Sequence, residues 1–220
     1  MLITFEGIEG SGKSTQVKCL KDWLQHQNIP CVLTREPGGT DIGAHIRRIL
    51  LDPNNTAMSP MTELLLYMAD RAQHLSELIR PEMAHNKIIL CDRFFDATTV
   101  YQGIARQIDM ETIIKLHNIV LDGLRPTKTL LFDLPVEQGL ERAWKRIHAD
   151  QTEQNENRFE KESIHFHQEV RQGYLDLAKN EPDRFIIVNA GQSEKRVFED
   201  VVSIFEFEGL VREFLTLRSV

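Results

Sequence analysis

Short apolar runs recur along the chain at Leu2 to Glu6, Cys31 to Thr34, Lys87 to Cys91, Thr129 to Leu134 and Phe185 to Asn189. Each is too short for a helix, and together they read as five buried parallel strands. The spacers carry helical patterns and are long enough to cross from one parallel strand to the next, as at Lys13 to Gln27, Pro60 to Ala84, Met110 to Leu121 and Glu160 to Lys179. This alternation predicts an α/β fold of three layers, a five-stranded parallel sheet with helices on both faces, and places ligands beyond the carboxyl ends of the strands. Ser193 to Leu217 reads as a last helix interrupted near Gly209. From His148 to Asn157 the only apolar residue is Ala149 and periodicity disappears. Such a segment is either a solvated connection or a flap over a site.

Composition narrows the picture. With 220 residues, 41% of them hydrophobic, the chain suffices for one sizeable core, and residues 1–220 are expected to form a single domain. A formal net charge of −7 without any stretch dominated by Lys and Arg argues against a nucleic-acid polymer as partner. Any anion site must therefore be local. Cys19, Cys31 and Cys91 are odd in number, widely spaced and without metal spacing, as expected of free thiols in a reducing cytoplasm. Met1 leads directly into an apolar run too short for a signal sequence, and no run of 18 apolar residues follows, so neither export nor a membrane is expected.

The most specific chemistry lies at Gly7-Ile8-Glu9-Gly10-Ser11-Gly12-Lys13-Ser14, which fits G-x-x-x-x-G-K-[ST] directly after the first strand and before the first helix. Glycines let such a loop turn its N–H groups inward, and the helix start adds its positive dipole end. Lys13 is placed to neutralise phosphate oxygens, the Ser14 hydroxyl can ligate Mg²⁺, and Thr15 can add a further hydroxyl. A glycine-rich turn with an incidental lysine is the bland alternative; the full match in its proper context speaks for ATP binding. Ile88 to Cys91 is followed by Asp92-Arg93 at the same edge of the sheet. Asp92 can hold Mg²⁺ through water, and Arg93 can bridge a donor and an acceptor phosphate, as in-line transfer between two anions requires.

Beyond these two sites the chain carries Thr34-Arg35-Glu36-Pro37-Gly38-Gly39-Thr40, Asp92-Arg93-Phe94 and Tyr101-Gln102-Gly103. In order and spacing these segments and the phosphate loop resemble the thymidylate kinase family of P-loop nucleoside monophosphate kinases. The resemblance implies the P-loop kinase fold with a lid insertion at about 143–158, and transfer of the γ-phosphoryl group of ATP to thymidine monophosphate, with Mg²⁺, in a homodimer. It gives Glu9 the 3′-hydroxyl of the acceptor sugar, sets Pro37 at the acceptor pocket, Tyr67 against thymine, and Arg71 on a base carbonyl. Tyr67 and Arg71 lie four apart on one predicted helix and so share a face. Tyr101 takes the place of the aromatic against the sugar's C2′ side, with Gln102 beside it. Where the family usually has a serine this chain has Ala97, so Thr98 or Thr99 must supply any hydroxyl there.

Arg142, Lys145, Arg146 and Arg158 bracket the polar segment, which favours a lid closing over ATP. The residue after Glu9 is the uncharged Gly10, so the further catalytic cation is expected from Arg146 or Arg158. Arg142 and Ala190 then fall near adenine by resemblance. The helices Pro60 to Ala84 and Met110 to Leu121 would form the homodimer seam, again by resemblance. Two other readings remain open at this stage. One is a kinase for a different monophosphate; the other is a P-loop switch or ATPase without a small acceptor, which finds no guanine-reading N-K-x-D sequence.

Overall fold

The computed structural model describes residues 1–149, 156–207 and 209–210. The centre of the polar segment, 150–155, and the end of the chain from 211 lie outside the described residues. In chain order the elements are β1 (Leu2–Glu6), α1 (Lys13–His26), β2 (Cys31–Arg35), α2 (Asp41–Leu51), α3 (Pro60–His74), α4 (Arg80–Ala84), β3 (Ile88–Asp92) and α5 (Phe95–Thr98). They continue with α6 (Met110–Leu121), β4 (Lys128–Asp133), α7 (Val136–Ala149), α8 (Ile164–Asn180), β5 (Phe185–Asn189) and α9 (Glu194–Phe207). All strand pairs are parallel, in the order β2-β3-β1-β4-β5.

Successive side chains of a strand point to opposite faces, so each strand feeds two cores. Ile3 and Phe5 pack with Val17, Leu20, Val201 and Phe205, which α1 and α9 lay over one face. Leu2 and Ile89 pack with Leu75, Ile79 and Leu121, while Leu131 packs with Val170 and Tyr174 of α8 on the other. Burying one such side chain fully stabilises the fold by roughly 1.5–3 kcal/mol before entropy is counted. The expected three layers are therefore present, and each strand matches its apolar run to within one residue at either end.

The helices differ from expectation in instructive ways. Pro60 to Ala84 is one rod but not one regular helix, because α3 reaches α4 through a π-helical turn at Leu75–Ile79. Pro81 has no N–H to return to the preceding turn, and a widened turn accommodates that gap. α8 starts at Ile164 rather than Glu160, since the Ser163 side chain accepts the N–H of Phe166 and caps the helix there. A second π-helical segment, Thr99–Ala105, follows α5 and carries Tyr101 and Gln102. The expected final helix is seen as far as Phe207.

Candidate active site

The phosphate loop joins β1 to α1 at the carboxyl edge of the central strand. Gly10 sits at φ +70°, and a Cβ there would lie 1.9 Å from the carbonyl oxygen of Gly139, so only glycine lets the loop meet α7. The Lys13 ammonium donates to the carbonyl oxygens of Gly7 (2.9 Å) and Ile8 (2.7 Å) and to Ser11 Oγ (3.1 Å). Burial, helped by the nearby Arg93 charge, pulls its pKa down to about 7. Phosphate oxygens beside it would push that value back up. Ser14 Oγ donates to Asp92 Oδ2, so the two residues expected at Mg²⁺ already touch. Both offer hard oxygen ligands, one of them a carboxylate, which suits this cation.

Across the loop lies a cavity of about 580 Å³. Glu9, Gly10, Ser11, Gly12, Lys13, Ser14 and Thr15 line one end. Pro37, Tyr67, Arg71, Tyr101 and Gln102 line the other, with Asp92 and Arg93 between. Gly7 and Ile8 stand behind the wall, where their carbonyls hold Lys13.

Glu9 is the centre of a polar knot. Its Oε1 accepts from Arg93 Nη2 (3.0 Å) and Tyr101 Oη (2.6 Å), and its Oε2 faces His167 Nδ1 at 3.1 Å. Burial works to raise its pKa, but Arg93, His167 and Lys13 together hold it far below the usual carboxylate range. Glu9 is thus an acceptor only, suited to take the proton side of a hydroxyl. Arg93 has a left-handed backbone, φ +67°, which a non-glycine residue seldom adopts. Its guanidinium lies 5.0 Å from the Tyr101 ring centre and donates to Tyr174 Oη (3.3 Å), whose own hydroxyl donates to Glu6 Oε2 (2.7 Å).

At the far end Arg71 is 1% exposed yet forms part of the cavity wall. Its Nε donates to Glu36 Oε2 (2.8 Å), and its Nη2 to Phe94 O (3.2 Å) and Thr98 Oγ1 (3.0 Å). Nη1 meets only the Met68 sulfur at 3.9 Å, which leaves it as the arm able to reach a ligand. Glu36 is fixed in turn by His74 Nδ1 (2.9 Å), and His74 Nε2 by Thr34 Oγ1 (2.6 Å). Of the two candidate hydroxyls near Ala97, Thr98 holds Arg71, and Thr99 donates to Phe95 O (3.3 Å).

The lid arginines separate. Arg146 lines the cavity, its Nη2 3.8 Å from Glu160 Oε1. Arg158 does not reach it; Nη2 pairs with Glu63 Oε2 at 2.6 Å, and Nε donates to Leu50 O. Arg142 Nη1 donates to Ala190 O (3.0 Å), joining the two residues expected near adenine outside the cavity wall. Glu160 is a residue that sequence reasoning missed. Burial and the Glu9 charge raise its pKa to about 7. His167 was missed as well, although Phe166, Val170 and Tyr174 show the helix face on which it had to be buried.

With this geometry in view, comparison with known proteins is direct. The family model for thymidylate kinase matches residues 5–201. The chain is 55% identical over 190 residues to the thymidylate kinase of Desulfosudis oleivorans, covering 86% of this chain and 89% of that protein. It is 53% identical over 203 residues to that of Desulforapulum autotrophicum, covering 92% and 89%. The crystal structure of thymidylate kinase from Ehrlichia chaffeensis superposes with a TM-score of 0.73 at 32% identity, over 94% of this chain and 98% of that one.

Proposed function

The chain belongs to the thymidylate kinase family, and we propose that its cavity runs the family's reaction with Arg93 between donor and acceptor. The enzyme transfers the γ-phosphoryl group of ATP to thymidine monophosphate, giving thymidine diphosphate and ADP. The alternatives of another acceptor, or of a switch without one, are not favoured. The observation that carries the assignment of roles is the position of Arg93, whose strained backbone turns its guanidinium to 3.0 Å from Glu9 at the middle of the cavity.

In this reading the loop from Gly7 to Thr15 cradles the ATP phosphates, and Lys13 stabilises charge that develops on the transferred group. Ser14 and Asp92 would hold Mg²⁺, which supplies charge neutralisation at the phosphate oxygens. Tyr67 stacks on thymine, Arg71 Nη1 donates to a base carbonyl, and Gln102 completes the base contacts. Glu9 accepts the 3′-hydroxyl, Pro37 borders the pocket, and Tyr101 walls off the 2′ position. Arg142 and Ala190 lie at adenine. The lid is assigned to about 143–158, of which 150–155 lie outside the described residues, and Arg146 is its catalytic cation because it faces the cavity, whereas Arg158 is bound to Glu63.

The homodimer is supported by Met61 and Leu65 of α3 and Met110 and Ile114 of α6, exposed apolar residues on two helices that pack together through Leu64, Met68 and Ile113. Cys19, Cys31 and Cys91 are free, in keeping with a cytoplasmic enzyme. Among the described residues no helix is long and apolar enough to cross a membrane. A coupled assay of ADP formation with thymidine, deoxyuridine, uridine, cytidine and deoxyguanosine monophosphates tests the reading. Thymidine monophosphate must give the highest kcat/KM, and an Arg93→Ala variant that still turned over at wild-type rate would overturn the role given to Arg93.

A further inference from the structure

The amide of Gln102 lines the cavity at the base end, and an amide reads opposite chemistry with its two ends. Which end faces the ligand is decided by Glu63, a residue of α3 that does not line the cavity and is 1% exposed. Gln102 Nε2 donates to Glu63 Oε1 at 2.8 Å. The same carboxylate meets Arg106 (Nε to Oε1 3.4 Å, Nη2 to Oε2 3.5 Å) and Arg158 Nη2 (2.6 Å). A carboxylate held between two guanidinium groups accepts and has no proton to give. Gln102 can meet it only with its NH₂ end, so the end left for the cavity is the Oε1 acceptor.

We infer that Glu63 is a specificity-determining positioning residue, which locks Gln102 as an acceptor and so selects a base with N–H at position 3 over one with a lone pair there. The inference rests on the acceptor pocket proposed above. Thymine has that N–H; cytosine has an acceptor at position 3 and an amino group at position 4. A cytosine ring in this pocket would set its N3 lone pair against Oε1 and its amino group against the Arg71 donor, and buried mismatches of this kind reject a ligand strongly. Were the amide free to rotate, the first of these two mismatches would vanish. Arg158, at the far end of the lid segment, is in this view an anchor that keeps Glu63 in place.

The test compares kcat/KM for thymidine monophosphate and 5-methyldeoxycytidine monophosphate, which share the methyl group and differ only at positions 3 and 4. Glu63→Gln keeps the shape but offers Gln102 either a donor or an acceptor. The thymidine-to-methylcytidine selectivity should fall at least tenfold, with the KM for ATP unchanged. In a Gln102→Leu background the same substitution should leave the selectivity where Gln102→Leu alone puts it, a dependence that a purely structural role would not show. Should Glu63→Gln not fold, Glu63→Asp draws the carboxylate back from Gln102 while keeping a charge for the arginines and carries the same test. Equal loss on both substrates at constant selectivity would overturn the inference and leave the acceptor pocket standing. Wild-type enzyme that does not prefer thymidine monophosphate would instead overturn the pocket assignment itself.

Discussion

Tyr101→Phe separates two duties that one side chain performs. The ring lies under Arg93, 5.0 Å from its guanidinium carbon, and packs edge-on to Phe159 at 5.4 Å, while the hydroxyl donates to Glu9 at 2.6 Å. Burial keeps the phenol proton in place by pushing its pKa well above the ordinary value. Phenylalanine preserves the ring and deletes only the donor. A hydrogen bond to a charged group is worth about 1.5–3 kcal/mol, and Glu9 keeps Arg93 and His167, so the lower end applies. A loss of about 1.5 kcal/mol corresponds to roughly tenfold in kcat/KM for thymidine monophosphate. In the proposed pocket the wall against a 2′-hydroxyl is the ring, so the preference for deoxyuridylate over uridylate should survive Tyr101→Phe and collapse in Tyr101→Ala, where the penalty of about 1–3 kcal/mol for a misplaced polar group is lifted. Steady-state ADP release with the three substrates reads both numbers. Unchanged kcat/KM in Tyr101→Phe would refute the support given to Glu9, and a lost sugar preference in that variant would refute the assignment of the wall to the ring.

Five further outcomes are expected. Lys13→Ala should lower kcat by about 10²–10³, the cost of losing a cation aimed at developing charge, as measured by single-turnover ADP formation. Arg146→Ala should lower kcat on the order of 10² at nearly constant KM for thymidylate, whereas Arg158→Met should lower unfolding stability in urea titrations by about 1–3 kcal/mol, since buried Glu63 loses one partner but keeps Arg106 and Gln102. Glu6 is fully buried and burial raises its pKa to about 7. The folded protein therefore binds the extra proton, so stability is greatest below the unfolded value near 4.5 and declines as pH rises to about 7; Glu6→Gln should flatten that slope in denaturation at pH 5 to 8. Leu65→Glu with Ile114→Glu should halve the mass seen by light scattering, if the exposed apolar faces of α3 and α6 meet in a dimer.

The strands were legible because a strand covered on both faces leaves an unbroken apolar run, and Ile88 to Cys91 can hardly be anything else. The phosphate loop was legible because its chemistry needs glycine and lysine at fixed spacing. α2 went unread although Thr40 caps it and Ile42, Ile46, Ile49 and Leu50 follow helical spacing; Ile42 and Ile49 of that stripe are exposed in the folded chain. The π-helical segments leave no periodicity of their own, so the turn that aims Tyr101 and Gln102 could be placed only by structure. Glu63 was equally invisible: an acidic residue in the first turn of a helix is ordinarily a solvated partner of the helix dipole, and only the approach of Gln102, Arg106 and Arg158 from distant segments makes it central.

A chain of net charge −7 must hold its anions by local means. Burying a cation without a partner is costly, and Arg71, the residue proposed to read a neutral base, is compensated within the protein by Glu36. The cations facing phosphates are arranged differently. Lys13 rests on neutral carbonyl oxygens, with its pKa pulled down to about 7, and Arg146 is 50% exposed and 3.8 Å from a carboxylate whose own pKa burial raises to about 7. Phosphate oxygens beside Lys13 would favour its charged form, and both cations gain most when the negative charge of the transferring group is largest. Arg93 stands between these cases, tied to Glu9 by one nitrogen and to Tyr174 by another, and so held at the point where two anions must approach each other. The local setting of these cations, rather than the sign of the whole molecule, would then govern affinity for the two nucleotides, and raising ionic strength should weaken binding far less than it would on an exposed basic surface.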